Sequence, residues 1–192
     1  MNKRKLMAGG LSLATLALLG AGCTTTGGAS GDAAAQRQAL NAQADNALTR
    51  LYKEARDSED LVKQARGVLI FPNFISAGFI IGGASGQGVL REAGKTVSYH
   101  RMTEGSVGLL AGAQSQAVFI LFMTEDALNR FKASNGWTVG ADANVTLLTV
   151  GADARVTGRT AQQPVVGFVL TNSGLMGSLS LGGSRITPLN FN

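Results

Sequence analysis

The chain changes its hydrophobic rhythm three times. Residues 11–19 form a short apolar run, residues 36–66 repeat apolar positions at helical spacing, and from residue 67 onward apolar residues alternate or cluster in short blocks. In the helical stretch Leu40, Ala44, Leu48, Leu51 and Ala55 share one stripe, with Arg37, Asp45, Arg50, Lys53, Glu54 and Arg56 mostly off it. That pattern predicts an amphipathic helix. Asp57-Ser58 offers an N-cap to a second short helix through Leu61, Val62 and Ala65, and Gly67 is placed to end it. The predicted outcome is one or two helices over residues 36–66.

The later blocks are Val68-Leu69-Ile70-Phe71, Phe79-Ile80-Ile81, Thr96-Val97-Ser98-Tyr99, and residues 117–123, 145–150, 165–170 and 179–181, each bounded by Gly, Asn or Pro. They predict many short antiparallel strands. One helix interrupts them. Thr124 caps a segment over residues 125–132 with acids in its first turn and bases in its last, stopping near Asn135-Gly136. The fold expected is α+β: mainly an antiparallel β sandwich or partly closed barrel, with one or two N-terminal helices and one short inserted helix. Glycines scattered through the strands predict bulges and bends in a curved sheet.

Composition narrows the function. The 192 residues suit one domain with appendages. Charged residues are only 15%, against about 25% in an average domain. With a single cysteine, Cys23, and a single histidine, His100, the chain has neither the ligands for a structural zinc site nor an internal disulfide. No metal or other cofactor is expected. Lys3, Arg4 and Lys5 belong to an export segment. From Cys23 onward 14 Lys and Arg face 12 Asp and Glu, a net charge of about +2, which gives no sustained basic face for nucleic acid.

The export segment has the three parts of a secretory signal over residues 1–22: the basic triplet, the apolar run, and small Gly20-Ala21-Gly22. A lone cysteine directly after the small residues resembles the lipobox of bacterial lipoproteins, in which Cys23 is the acylated first residue of the mature chain. The alternatives are an uncleaved anchor and an ordinary signal peptide with an incidental thiol. Thr24, where an aspartate would retain such a protein elsewhere, implies outer-membrane sorting. Residues 24–35 are Thr, Gly, Ser and Ala with one Asp and read as a tether with a reach of roughly 20 Å. The organisation expected is a signal peptide over 1–22, an acylated cysteine and tether over 23–35, and a domain over 36–192.

Catalytic constellations are scarce. Gly88 to Gly94-Lys95-Thr96 approaches a phosphate-binding loop, but five residues separate the glycines where four are needed, and a strand follows instead of a helix. A hairpin turn at Ala93-Gly94-Lys95 is the better reading. His100 has no Gly-x-Ser-x-Gly elbow to serve and is expected at a strand end. Asp142 and Asp153 recur in the similar phrases Gly140-Ala141-Asp142-Ala143 and Gly151-Ala152-Asp153-Ala154. They are either paired carboxylates for acid–base or calcium chemistry or turn residues bonding their own backbone, and the repeat favours turns. Lys53, Arg56, Lys63 and Arg66 can edge the N-terminal helices with positive charge, diluted by Glu54, Asp57, Glu59 and Asp60. Such helices either meet anionic headgroups or pack on the core with a solvated outer face.

Ala65-Arg66-Gly67-Val68-Leu69-Ile70-Phe71-Pro72-Asn73, Ala77-Gly78-Phe79-Ile80-Ile81-Gly82-Gly83 and Gly86-Gln87-Gly88-Val89-Leu90 resemble the opening of the SYLF domain family. The resemblance continues through Gly105-Ser106-Val107-Gly108, Gly112-Ala113-Gln114 and Gly140-Ala141-Asp142 to Ser173-Gly174-Leu175-Met176 and Leu181-Gly182-Gly183, over roughly residues 36–190. It implies a lipid-binding module and no enzyme. Family members in eukaryotes bind phosphoinositides, with an amphipathic N-terminal helix contributing, and fungal members also bind actin. Carried to this chain, the helix matches residues 36–66 and the lipid-binding cations are Lys53, Arg56, Lys63 and Arg66. The expectation is an outer-membrane lipoprotein whose domain meets an anionic phospholipid membrane. The alternative is a structural envelope protein that binds an envelope or host protein and uses its acyl chains only as an anchor; actin enters by family analogy alone.

Overall fold

The computed structural model describes residues 29–78, 81–107, 112–148, 163–171, 174–175 and 181–191. Cys23 and the export segment lie outside them. Helices α1 (Ala29–Glu54) and α2 (Ser58–Gln64) precede strands β1 (Gly67–Gly78), β2 (Ile81–Glu92), β3 (Lys95–Val107) and β4 (Gly112–Phe122). Helix α3 (Glu125–Ala133) follows, then β5 (Trp137–Thr138), β6 (Thr146–Leu147), β7 (Val165–Thr171), β8 (Gly174–Leu175) and β9 (Arg185–Pro188). The strands form one sheet in the order β5-β9-β3-β2-β1-β4-β7-β6, with β8 on β7. It is antiparallel except for β6 on β7, and it curls into a half-barrel, so the partly closed barrel is the form realised.

Both faces of the central strands are covered, and this explains their continuous apolar runs. Val68 and Ile70 of β1, Phe119 and Leu121 of β4 and Phe168 of β7 join Leu40, Ala44, Ala47 and Leu51 of α1, Ala55 of the link and Leu61 of α2 in one core. The alternate residues Leu69, Phe71, Val118, Ile120, Phe122 and Val169 meet Leu128, Phe131 and Trp137 in the other. Period-two alternation thus sorts each strand between a helix face and a barrel interior.

The helical stripe predicted from spacing is the buried one, but α1 starts at Ala29, seven residues before the expected start. Ala33, Ala34 and Ala35 are strong helix formers, and Ala33 is buried. Small residues at 33, 44 and 47 let the helix lie close on the sheet. Polar ties run along it: Arg37 donates to the Phe191 carbonyl, the Asn41 amide donates to the Tyr99 hydroxyl, and Asn73 donates to Gln43. Asp57 takes the N-cap position of α2 in αR geometry without a side-chain cap bond; Ser58, fully buried, instead donates to the Ala55 carbonyl at the end of α1. Gly67 does not end α2. It opens β1, where a Cβ would stand 2.7 Å from Leu128. Arg66 accordingly lies outside the helix. Thr124 caps α3 as expected, accepting from the Ala127 amide at 3.3 Å.

Several expected short strands fuse into long ones. The block 68–71 continues through Pro72 to Gly78 because a bulge between Phe71 and Phe74 absorbs the proline. Thr96-Val97-Ser98-Tyr99 continues to Val107. Phe79-Ile80, Thr149 and Val150 and the pair 179–180 lie outside the described residues. The β2–β3 connection is a two-residue turn with positive φ at both Ala93 (48°) and Gly94 (78°), a type I′ turn, as the hairpin reading required. Gly94→Ala places a Cβ in that left-handed geometry and is expected to cost about 1–2 kcal/mol. Ala93→Asn, which tolerates it better, should raise stability by a few tenths of that, roughly 0.5 kcal/mol. Urea midpoints of the two variants check the opposite signs.

Candidate functional site

Where α1 ends and α2 turns back, the helices do not close fully on the first hairpin. A cavity of about 450 Å³ remains there, with Leu48, Val62, Ala65, Val68 and Ile70 supplying apolar walls and Tyr52, Lys63 and Arg91 polar ones. The gap follows from local shape: α2 is only seven residues long, and Ala65 turns extended immediately after it.

Arg91 is the residue that spacing alone did not single out. It follows Val89-Leu90 on β2, and its side chain is only 13% exposed. Its Nη1 donates to Asp45 Oδ1 at 2.6 Å and its Nη2 to the Asn41 carbonyl at 3.3 Å. Its Nε is buried and has no hydrogen-bond partner among the described residues. A buried donor left unmatched costs about 1–3 kcal/mol, so this guanidinium is incompletely satisfied by the protein. An Arg directly after an apolar block and beside a hairpin turn was the available signal, but its partner Asp45 is 46 positions away.

The four nominated cations fall within fourteen residues of the chain, from the end of α1 to the start of β1. Lys53 lies in the last turn of α1, Arg56 in the α1–α2 link, Lys63 in the last turn of α2 and Arg66 in the link to β1, and all four are exposed. Lys63 pairs with Glu59 at 2.9 Å, and that hydrogen bond raises its pKa and keeps it a cation. Arg66 reaches Glu125 only at 4.0 Å. Exposed pairs of this kind are held weakly against solvent, so an external anion competes with them readily. Of the four, Lys63 also lines the cavity. Tyr52 connects the two regions: burial first, then the Glu59 carboxylate, raises its phenol pKa, with Lys63 and Arg91 opposing.

The other candidates take structural places. Asp142 Oδ2 accepts the Thr138 amide at 2.6 Å, and the Asp142 amide returns a bond to the Thr138 carbonyl, so this aspartate closes a turn. Asp153 lies outside the described residues. His100 is not at a strand end: it sits inside β3, 7% exposed, its ring 4.9 Å from that of Phe131 and its Nε2 2.8 Å from the Ser98 hydroxyl. Burial pushes its pKa down to about 4, leaving a neutral imidazole at physiological pH. Among the described residues no group of three or more His, Cys, Asp or Glu converges as a metal would require, and no helix is long and apolar enough to cross a membrane.

Comparison with protein families finds a match to the Ysc84 family, described as Las17-binding protein actin regulator, over residues 103–190. This is the SYLF family that the sequence resembles. The matched segment runs from the end of β3 to just past β9, while β1, β2, the cavity and the four cations precede it. No curated protein matches the chain.

Proposed function

We propose, from the SYLF domain that this chain carries over residues 103–190, that the protein is a binding module for anionic phospholipid surfaces and not a catalyst. Acylated Cys23 holds it on the outer membrane, and Lys53, Arg56, Lys63 and Arg66 meet headgroup phosphates. The observation that carries this reading is the exposure of all four cations. The apolar stripe of α1 is committed to the core, so contact is through the charged outer face and not by insertion of that stripe. Each Lys or Arg near an anionic membrane contributes about 1 kcal/mol, screened by salt. Phosphoinositide heads, with several phosphates, are the strongest form of this ligand class.

A second reading is favoured by the family's description, which names a protein partner: a structural envelope protein whose domain binds another protein, with the acyl chains as anchor. Actin-related binding belongs to this reading by family analogy. Flotation separates the two. The full chain carrying Cys23→Ser should float with anionic vesicles at low salt and not with neutral ones, and Lys53→Glu with Arg56→Glu should lower partition by about tenfold or more. Absence of binding to every vesicle composition would turn the reading to a protein partner.

A further inference from the structure

We propose that the open cavity between α1, α2 and the β1–β2 hairpin binds a single acyl chain whose anionic head is received by Arg91 and Lys63. This deepens the anionic-lipid reading above, which supplies the class of head; it adds capture of one lipid molecule to adhesion at a surface.

Three features specify the ligand. The volume of about 450 Å³ lies toward the lower end of small-ligand sites, which span about 300–1,000 Å³, and suits one slender chain. The walls from Leu48, Val62, Val68 and Ile70 are hydrocarbon and offer a polar or sugar ligand nothing to bond. The polar end is cationic: Arg91 and Lys63 both line the cavity. Asp45 and Glu59 hold parts of these two cations. The head that fits is therefore a compact anion, a carboxylate or phosphate monoester, drawn to the two cations while Asp45 keeps Nη1 of Arg91. An uncharged head could accept from these cations but would lack the attraction between opposite charges.

The test uses the full chain with Cys23→Ser and soluble ten-carbon amphiphiles held below their micelle concentrations. Decanoate and decyl phosphate represent a free fatty acid and a lipid phosphate; decanol is the neutral control. Saturable one-to-one binding of either anion by calorimetry, about tenfold or more tighter than decanol, is the expected result. Preference between the two anions identifies the source. Val62→Trp, which fills the cavity, should weaken binding by about tenfold or more. If that variant unfolds, the unaltered chain still decides, because bound anion must raise its melting temperature in a saturable way. Equal binding of decanol, or no saturable binding of either anion, overturns the proposal. Vesicle partition is read on the same samples: partition without monomer binding removes the cavity and leaves the surface reading standing, and monomer binding without partition does the reverse.

Discussion

Gly88→Ala should destabilise the fold by about 3 kcal/mol or more, near the upper end of what overpacking a core produces. A Cβ at Gly88 would stand 2.5 Å from Phe71 Cδ1, 2.7 Å from Cε1 and 2.6 Å from the Ile70 carbonyl oxygen. The ring belongs to a fully buried side chain and the oxygen to the backbone of a central strand, so neither can move without shifting β1. The close approach originates in the bulge. Between Ile70 and Ile75 strand β1 carries one more residue than β2 does between Val89 and Ser85, and the bend pushes β1 toward its neighbour. Gly86 takes the other side of that bend, where a Cβ would lie 2.8 Å from the Asn73 carbonyl. Phe71-Pro72-Asn73 and Gly86-Gln87-Gly88 are thus one device, a proline-bearing bulge and the glycines that receive it. Gly105→Ala is the control, since nothing stands within 4 Å of its Cβ position. Urea unfolding should place Gly105→Ala within about 0.5 kcal/mol of the parent. Phe71→Leu in the Gly88→Ala background should recover part of the loss and not all, because the Ile70 oxygen remains. A Gly88→Ala protein as stable as the parent would show that the bulge is not tightly packed.

Local signals were legible in the residues, and long-range ones were not. The α3 cap at Thr124, the stripe from Leu40 to Ala55 and the turn at Ala93-Gly94 each depend on residues within one or two turns of each other. Strand length was different. Serine, alanine and glycine carry β1 and β2 well past their apolar blocks, and there the ladder itself holds the chain: Ser76 pairs with Ala84 on one side and with Gln114 on the other. Composition carries little trace of pairing that depends on backbone hydrogen bonds. The parallel β6–β7 pair needs the separation of Leu147 from Gly167 in sequence to be closed in space. The site divides in the same way. The exposed cations Lys53, Arg56, Lys63 and Arg66 show in the sequence, but a cavity is made by the distance between surfaces, and Arg91 acquires its meaning only when α1 brings Asp45 over β2.

His100 gives the second large expectation, a loss of stability in mild acid. Its imidazole lies under Phe131, between the cross-strand neighbours Gly88 and Pro188, with the Ser98 hydroxyl on Nε2. Burial lowers its pKa from the ordinary 6.5 to about 4. Between those values the unfolded chain takes up a proton that the folded chain refuses, so unfolding is favoured as pH falls. The contribution is whole above pH 6.5 and is exhausted near pH 4, with a total on the order of 3 kcal/mol. His100→Gln removes the titration but also disturbs a packed position, so it should be less stable than the parent at pH 7. The informative quantity is the difference between the two: it should shrink by about 3 kcal/mol from pH 7 to pH 4, since other acid groups titrate alike in both proteins. A constant difference across that range would mean that the imidazole reaches solvent when protonated. Because Phe131 also meets Phe122 and Trp137 at centroid distances of 4.9 and 5.6 Å, protonation strikes the aromatic centre of the barrel interior. The packing of α3 on the sheet should therefore loosen in acid before the α1 face does, which amide exchange at Leu128 and Phe131, compared with Leu51, would reveal.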